Sequence, residues 1–294
     1  MRGRAMRFDD VMSTHVIPRS VTVELVAAFT KDGAGGNPAG VVLDASGIAP
    51  AERQRIAAGV GAPETAFVTV ASDGAFETEF YSPAKQVPDC GHATVATFSL
   101  LARRGLLPGP GAVKRTILGD RAISIEGERV FMEQPRPKVA PFPHAAEIAY
   151  ALGIGSESVV LEPVLADHGL RFVLVEGTPD ALAAIVPNAS VIAELTEAPD
   201  ALGLYVYAGD HAQFDATIRM FAPRIGILEE AATGMAAGLL GGYLARDHET
   251  ASYRFLQGAL MPQPSPSKLI VRVRPDHVLV GGTATPLSTV EVAL

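Results

Sequence analysis

"PDCGHATVATFSLLARR" (88–104) and "EEAATGMAAGLLGGYLARD" (229–247) decide how this chain folds. In each, a glycine opens a run of small and apolar residues that ends in Leu-Ala-Arg. Upstream stand "FETEFYSP" (76–83) and "FDATIRMFAP" (214–223), so both copies run Phe, alternating strand, Pro, loop, Gly and helix. Gly91-His92-Ala93 corresponds to Gly234-Met235-Ala236. The matched order predicts two similar halves. Each half then presents a helix N-terminus with unpaired backbone N–H groups and a positive dipole end. Two such ends facing across a cleft suit an anion, most simply a carboxylate, and glycine lets it approach the backbone. The competing reading is two ordinary helix starts in which Gly serves geometry alone.

The segments between are β-rich. "VELVAAFT" (23–30) and "VVLDA" read as strands of a hairpin around the loop "KDGAGGNPAG" (31–40), whose glycines match neither G-x-G-x-x-G nor a P-loop. "APAERQRIAAGVG" (49–61) reads as a short helix with Pro50 in its first turn. "ETAFVTV" and "FETEFYSP" pair around the turn "ASDG". The helix after Gly91 places Val95, Phe98, Leu101 and Ala102 on one apolar face. "PRPKVAPFPH" (135–144), with four prolines in ten positions, reads as a connector. In the second half, 171–176, 203–208 and 214–223 read as strands, and 179–197 and 234–246 as helical. The alternating tail from Lys268 is β.

Composition narrows the function. The 294 residues are 48% hydrophobic and carry a net charge of −8 without a dense Lys/Arg run, so no nucleic-acid partner is expected. The single cysteine excludes an internal disulfide and suits a reducing compartment, hence a cytoplasmic location. No apolar run is long enough for a membrane span. The opening twenty residues lack the apolar core of a secretory signal and read as a loose tail or an upstream start. No second His or Cys lies at zinc spacing from Cys90 or His92, so no metal is expected.

"AFTKDGAGGNPAGVVL", "APETAFV", "SPAKQVPDCGHATVATFSLLA" and "MFAPRIGILEEAATGMAAGLLGGYL" together resemble the PhzF-like proteins of phenazine biosynthesis. These belong to the diaminopimelate-epimerase and proline-racemase fold group, and the likeness runs from about Val21 to the C-terminus. It implies an α/β fold of two pseudo-symmetric domains, each a mixed, curled sheet around a central helix, with the site between them. The domains expected are 21–137 and 138–294 after the loose extension 1–20, with the last strand free to return to the first domain. The resemblance further implies a homodimer, no cofactor and a small carboxylate substrate.

In that family the glutamate of the "ET" motif shuttles a proton, and here it falls on Glu64. Taken alone, Glu64 reads as a strand-end carboxylate in water and His92 as a helix-start residue; the resemblance makes Glu64, His92 and Glu230 the catalytic set. Around the substrate it places Asn37, Asp89, Cys90, Gly91, Thr94, Thr233, Gly234 and Met235. The family's Glu-Asp-Pro-Ala-Thr-Gly-Ser-Ala becomes Glu229 through Ala236, so Glu230 has a longer arm and Met235 lacks the serine hydroxyl. Gln86 stands where a glutamate is common and Asp89 where an apolar residue is common. Asp89 beside Cys90 is expected to raise the thiol pKa.

Counting then separates mechanisms. Racemases of this fold group oppose two thiols, and this chain has only Cys90. The expected activity is a single-carboxylate isomerase using Glu64 on a small unsaturated or cyclic carboxylate. The alternative is a carboxylate-binding protein that keeps the fold without the chemistry.

Overall fold

The alternating tail is the strand on which the architecture turns. In a computed structural model, which describes residues 20–209 and 213–293, one 16-stranded sheet runs through the chain. The expected loose extension lies, apart from Ser20, outside the described residues. The first half supplies β1 (Ser20–Ala28), β2 (Asn37–Val42), β3 (Glu64–Val70), β4 (Phe76–Tyr81), β5 (Gln86–Val87), β6 (Gly111–Thr116), β7 (Gly119–Glu126) and β8 (Arg129–Pro135). The second supplies β9 (Lys138–Pro141), β10 (Val164–Asp167), β11 (Arg171–Glu176), β12 (Gly203–Gly209), β13 (Ala216–Phe221), β14 (Ala251–Gln257), β15 (Ser267–Val273) and β16 (His277–Ala293). The helices are α1 (Pro50–Val60), α2 (Gly91–Arg103), α3 (Ala145–Leu152), α4 (Pro179–Ala184), α5 (Ala189–Glu197) and α6 (Gly234–Leu244).

β16 pairs with β8 through Thr283 and with β15 over Val278–Gly281, then continues along β1 from Ala284. The order β1-β2-β3-β4-β6-β7-β8-β16 therefore closes back on β1. From β16 the sheet goes on through β15, β14, β13, β12, β11 and β10 to β9. So long a strand has to bend to serve both halves. Its pairing with β1 shifts register between Leu25 and Val26, opposite Pro286 and Ser288, which leaves Leu287 as the extra residue. A bulge sharpens the local twist and tolerates a proline that a regular ladder would not.

α2 fills the closed circuit. Every residue from Gly91 to Leu101 is buried, so the single apolar face expected from Val95, Phe98, Leu101 and Ala102 is too narrow a reading. A helix surrounded by sheet has no polar side, and its Ala, Thr and Ser residues keep it slim enough to fit. α6 occupies the corresponding place in the second half, packed against β16 and β15. A Cβ on Gly241 would come within 2.4 Å of Val271 Cγ1, so its small residues mark close approach to strands. α3, α4 and α5 bury a separate apolar layer around Ile148, Leu182 and Ile192, over Val173, Leu204 and Val206. Two loop assignments are corrected. β2 begins inside the presumed loop, at Asn37, and the presumed connector contains β9, which pairs with β10 over Lys138–Pro141.

Asp89, unexplained by sequence, meets Lys114 of β6. The Lys114 side chain is fully buried and its Nζ donates to Asp89 Oδ1 at 2.6 Å. Thr94 Oγ1 and Met132 Sδ lie 3.3 and 3.4 Å from the same nitrogen. Asp89 Oδ1 also accepts the Cys90 N–H at 2.7 Å, and the Thr94 hydroxyl donates to the Cys90 carbonyl at 2.7 Å. Burial pushes the Lys114 ammonium down and the Asp89 charge opposes it. This pair pins the turn that delivers Cys90 and Gly91. Lys114→Met leaves a buried carboxylate unpaired and is expected to cost about 3–5 kcal/mol in urea melts. The double variant Lys114→Met/Asp89→Leu should recover most of that loss. Equal losses in both would mean that the charge pair is not what Lys114 supplies.

Candidate active site

α2 and α6 meet head to head. Cys90, in extended conformation, and Thr233 precede the two helices, and neither side chain caps its helix. A Cβ on Gly91 would lie 3.2 Å from Met235 N and 3.3 Å from Gly234 Cα. One on Gly234 would lie 2.9 Å from Phe29 Cζ. Glycine is thus required at both starts by close approach, and two positive dipole ends converge on one point.

Three titratable side chains surround that point. Glu64, the first residue of β3, and Glu230, before α6, are each 8% exposed, and His92 in the first turn of α2 is 3% exposed. His92 Nε2 is 3.2 Å from Glu64 Oε2, and His92 Nδ1 is 3.6 Å from Glu230 Oε1. Glu230 Oε1 accepts from Asn37 Nδ2 at 3.0 Å, and Oε2 accepts from the Thr233 hydroxyl. The Asn37 amide also donates to the Ala232 carbonyl at 2.9 Å, which fixes it across the two halves. Cys90 Sγ completes the group, 3.9 Å from Glu64 Oε2 and 3.4 Å from His92 Nδ1.

Burial governs the protonation of this cluster. It pushes Glu64 up to about 8, helped by the Glu230 charge and opposed by the Cys90 thiol. It pushes Glu230 up to about 7 against the hydrogen bonds from Thr233 and Asn37. It pushes His92 down to about 3, so the imidazole between the carboxyls is neutral and these are hydrogen-bond contacts rather than ion pairs. Two carboxyls in one dry pocket do not both ionise near neutrality. The helix ends carry about half a positive charge each, enough to balance one carboxylate. Glu230, which its two donors favour in the charged form, is the one that carries it, and Glu64 holds the proton. The Cys90 thiol is raised as expected, but by burial first and Glu64 second, with Asp89 the smallest contribution.

A small cavity of 80 Å³ reaches this cluster and shares Glu64, Asp89, Leu170 and Ile227 with a larger cleft of 930 Å³. Its walls differ in chemistry. The helix starts and acids form one, and Leu170, Phe172, Leu202, Met220, Ile225 and Ile227 form the other. Among the described residues, no Lys or Arg lines the small cavity.

Of the residues singled out from sequence, Glu64, Asp89, Cys90, Gly91, His92, Glu230, Thr233, Gly234 and Met235 line the small cavity. Asn37 lines the larger cleft and reaches Glu230. Thr94 lines neither and holds the Cys90 carbonyl and Lys114 instead. Sequence reading missed Gln257, whose amide donates to the Glu230 carbonyl at 2.8 Å while its oxygen accepts the Thr233 N–H at 3.1 Å. Strand alternation carried a signal, since Gln257 shares its face with the buried Phe255. It also missed His168, whose Nε2 is 3.1 Å from the Met235 carbonyl.

Comparison with known proteins bears on the family and the fold. A "Phenazine biosynthesis-like protein" family model, PhzC-PhzF, matches residues 26–290. An "Uncharacterized isomerase" of Deinococcus radiodurans is 35% identical over 279 residues, covering 88% of this chain and 90% of that protein. A trans-2,3-dihydro-3-hydroxyanthranilate isomerase of Pseudomonas fluorescens is 29% identical over 252 residues, covering 82% and 87%. The crystal structure of a Bacillus anthracis phenazine biosynthesis protein of the PhzF family superposes with a TM-score of 0.87 at 28% identity, covering 94% of this chain and all of that one. The α/β architecture, the paired helix starts and a family match over nearly the whole chain assign it to one group: the chain belongs to the PhzC/PhzF phenazine biosynthesis-like family.

Proposed function

We infer that the chain is an isomerase that moves a proton on a small unsaturated or cyclic carboxylate, with Glu64 as sole acid/base and no cofactor. The observation that carries this reading is the Glu64–His92–Glu230 cluster set against two converging helix starts. The substrate carboxylate sits at the first-turn N–H groups around Gly91 and Gly234. Its hydrocarbon part faces Leu170, Phe172 and Ile225. Ionised Glu64 removes a proton from a carbon made acidic by conjugation with that carboxylate. The negative charge spreads onto the carboxylate oxygens, where the helix N–H groups stabilise it. Glu64 then returns the proton to another carbon on the same face. Neutral His92 orients Glu64, and Asn37 and Thr233 keep Glu230 fixed and charged.

Met235 favours the second reading, a carboxylate binder without turnover. Its sulfur lies 3.6 Å from Gln134 Nε2 at the helix start, where the isomerase family places a hydroxyl. One experiment separates the two. Substrate-proton exchange is followed in heavy water with carboxylates first selected by thermal shift. Exchange is expected for the isomerase, and thermal shift without exchange supports the binder.

Glu64→Gln should lower that exchange by about 10²–10⁴-fold with binding retained; unchanged exchange would remove Glu64 from the mechanism. Because the base form of Glu64 is needed and its pKa is raised to about 8, kcat/KM should rise with pH through neutrality and level off above about 8. Stability should run the other way over the same range. Glu64 and Glu230 bind protons more tightly folded than unfolded, so their contribution is complete below the ordinary glutamate value of 4.5 and is lost up to about 8. His92, neutral when folded, contributes the opposite slope only below the ordinary histidine value of 6.5. Urea midpoints are therefore expected to fall between about pH 6.5 and 8, and less so in Glu64→Gln.

A further inference from the structure

We propose that Gln134 and His168 are positioning residues that aim two backbone N–H groups of α6, those of Met235 and Ala236, at the carboxylate of the ligand. This role rests on the reading above that an anion binds at the helix start. Ala237 donates to the Thr233 carbonyl at 3.0 Å, the first N–H of α6 to find a partner within its own turn. Those of Gly234, Met235 and Ala236 precede it and are left over. A peptide unit is planar, with its C=O and the following N–H pointing opposite ways. A donor fixed on one carbonyl therefore sets the direction of the next N–H. Gln134 Nε2 donates to the Gly234 carbonyl at 3.2 Å and so orients the Met235 N–H. His168 Nε2 donates to the Met235 carbonyl at 3.1 Å and so orients the Ala236 N–H. Helical pairing four residues on already serves both carbonyls, so neither side chain is needed to satisfy them.

Gln134 is an unfavourable residue for its place unless its N–H matters. It is 1% exposed, and its Oε1 has no hydrogen-bond partner among the described residues. A buried oxygen left unpaired is destabilising. A Cβ on Gly238 would lie 1.9 Å from that oxygen, so α6 carries a glycine in mid-helix, itself unfavourable, to make room for the amide. An apolar side chain at 134 would avoid the unpaired oxygen but could not donate to Gly234. His168 comes from the turn between β10 and β11. The Leu170 N–H points to its Nδ1 at 3.5 Å, and burial holds the imidazole below its ordinary value, so the neutral ring keeps its proton on Nε2. Leu170 itself lines the small cavity, so one turn supplies apolar wall and steadies the helix start beside it. Donors fixed before the ligand arrives need no reorganisation on binding.

The test uses the full chain with cyclohex-1-ene-1-carboxylate as the probe, titrated by calorimetry and followed by NMR at the Met235 and Ala236 amides. Both resonances should move as the unaltered chain is titrated. Gln134→Met removes one donor with little change of volume. His168→Asn removes the other and leaves an acceptor for Leu170. Each should raise Kd about three- to tenfold, as expected for one neutral hydrogen bond. Without ligand, Gln134→Met should displace the Met235 resonance and His168→Asn that of Ala236. His168→Gln, whose amide reaches the place of Nε2, should bind within about twofold of the unaltered chain.

Melting separates positioning from support of the fold. Gln134→Met abolishes the unpaired oxygen, so its midpoint should stay or rise while binding weakens, whereas a residue that only held the fold together would lower it. Unchanged Kd in folded Gln134→Met and His168→Asn, with both amides still answering the probe, overturns the positioning roles alone. So does His168→Gln binding as weakly as His168→Asn. A probe that moves neither amide of the unaltered chain overturns the anion reading together with them.

Discussion

Two helices that start within van der Waals distance of each other set the terms for the rest of this molecule. Each is held inside strands that β16 joins, so neither can back away without opening the sheet. Their facing dipole ends repel, and glycine is the only residue type that fits at both starts. Negative charge at that point relieves the repulsion, and Glu230 supplies it from within the chain. Fold and binding chemistry are therefore one problem here, since the contact that closes the architecture also creates the electrostatic demand.

The cluster answers that demand asymmetrically. Glu230 is tied by Asn37 from β2 and by Thr233 of its own turn, with Gln257 holding the backbone on both sides. Among the described residues, the side-chain groups in polar contact with Glu64 are a neutral imidazole and a thiol. A carboxylate with fixed donors is a good structural charge and a poor proton carrier, because taking a proton costs it those bonds. A carboxyl with few donors in a dry pocket holds a proton near neutrality and releases it at modest cost. The contrast between the two carboxyls follows from hydrogen-bond count.

Much of this was legible in the residues. The repeat of Gly-His-Ala by Gly-Met-Ala, each after a strand ending near a proline, located both helix starts. GNPAG, APETAFV and CGHAT located Asn37, Glu64 and the turn before α2. What escaped was long-range pairing. Nothing in the sequence singles out Lys114, and only the fold shows that it reaches back under Asp89. α2 looked amphipathic because periodicity assumes one wet side, and a closed circuit of strands leaves none. Gln257 sat in plain view on an inward-facing strand position, where polarity is the informative exception.

The geometry also bears on how a proton can move. A racemase holds its carbon between opposed bases, each about 3–3.5 Å from it, so the bases stand about 6–7 Å apart. Cys90 Sγ and Glu64 Oε2 are separated by 3.9 Å, too little for a carbon to lie between them. They address one face of whatever enters the cavity. The thiol, pushed up by burial and by Glu64, is also a weak base there. Glu230 is committed to Asn37 and Thr233 through both of its oxygens. Among the described residues lining the cavity, Glu64 is then the carboxyl least committed to other donors, and a single base would work on a single face. Inversion at a carbon would require a second group opposite the first, and among the described residues lining the cavity Cys90 and Glu64 stand side by side instead. Transfer between two positions on the same face requires only that the ligand present both to Glu64, with the hydrocarbon wall from Leu170 to Ile227 holding it there.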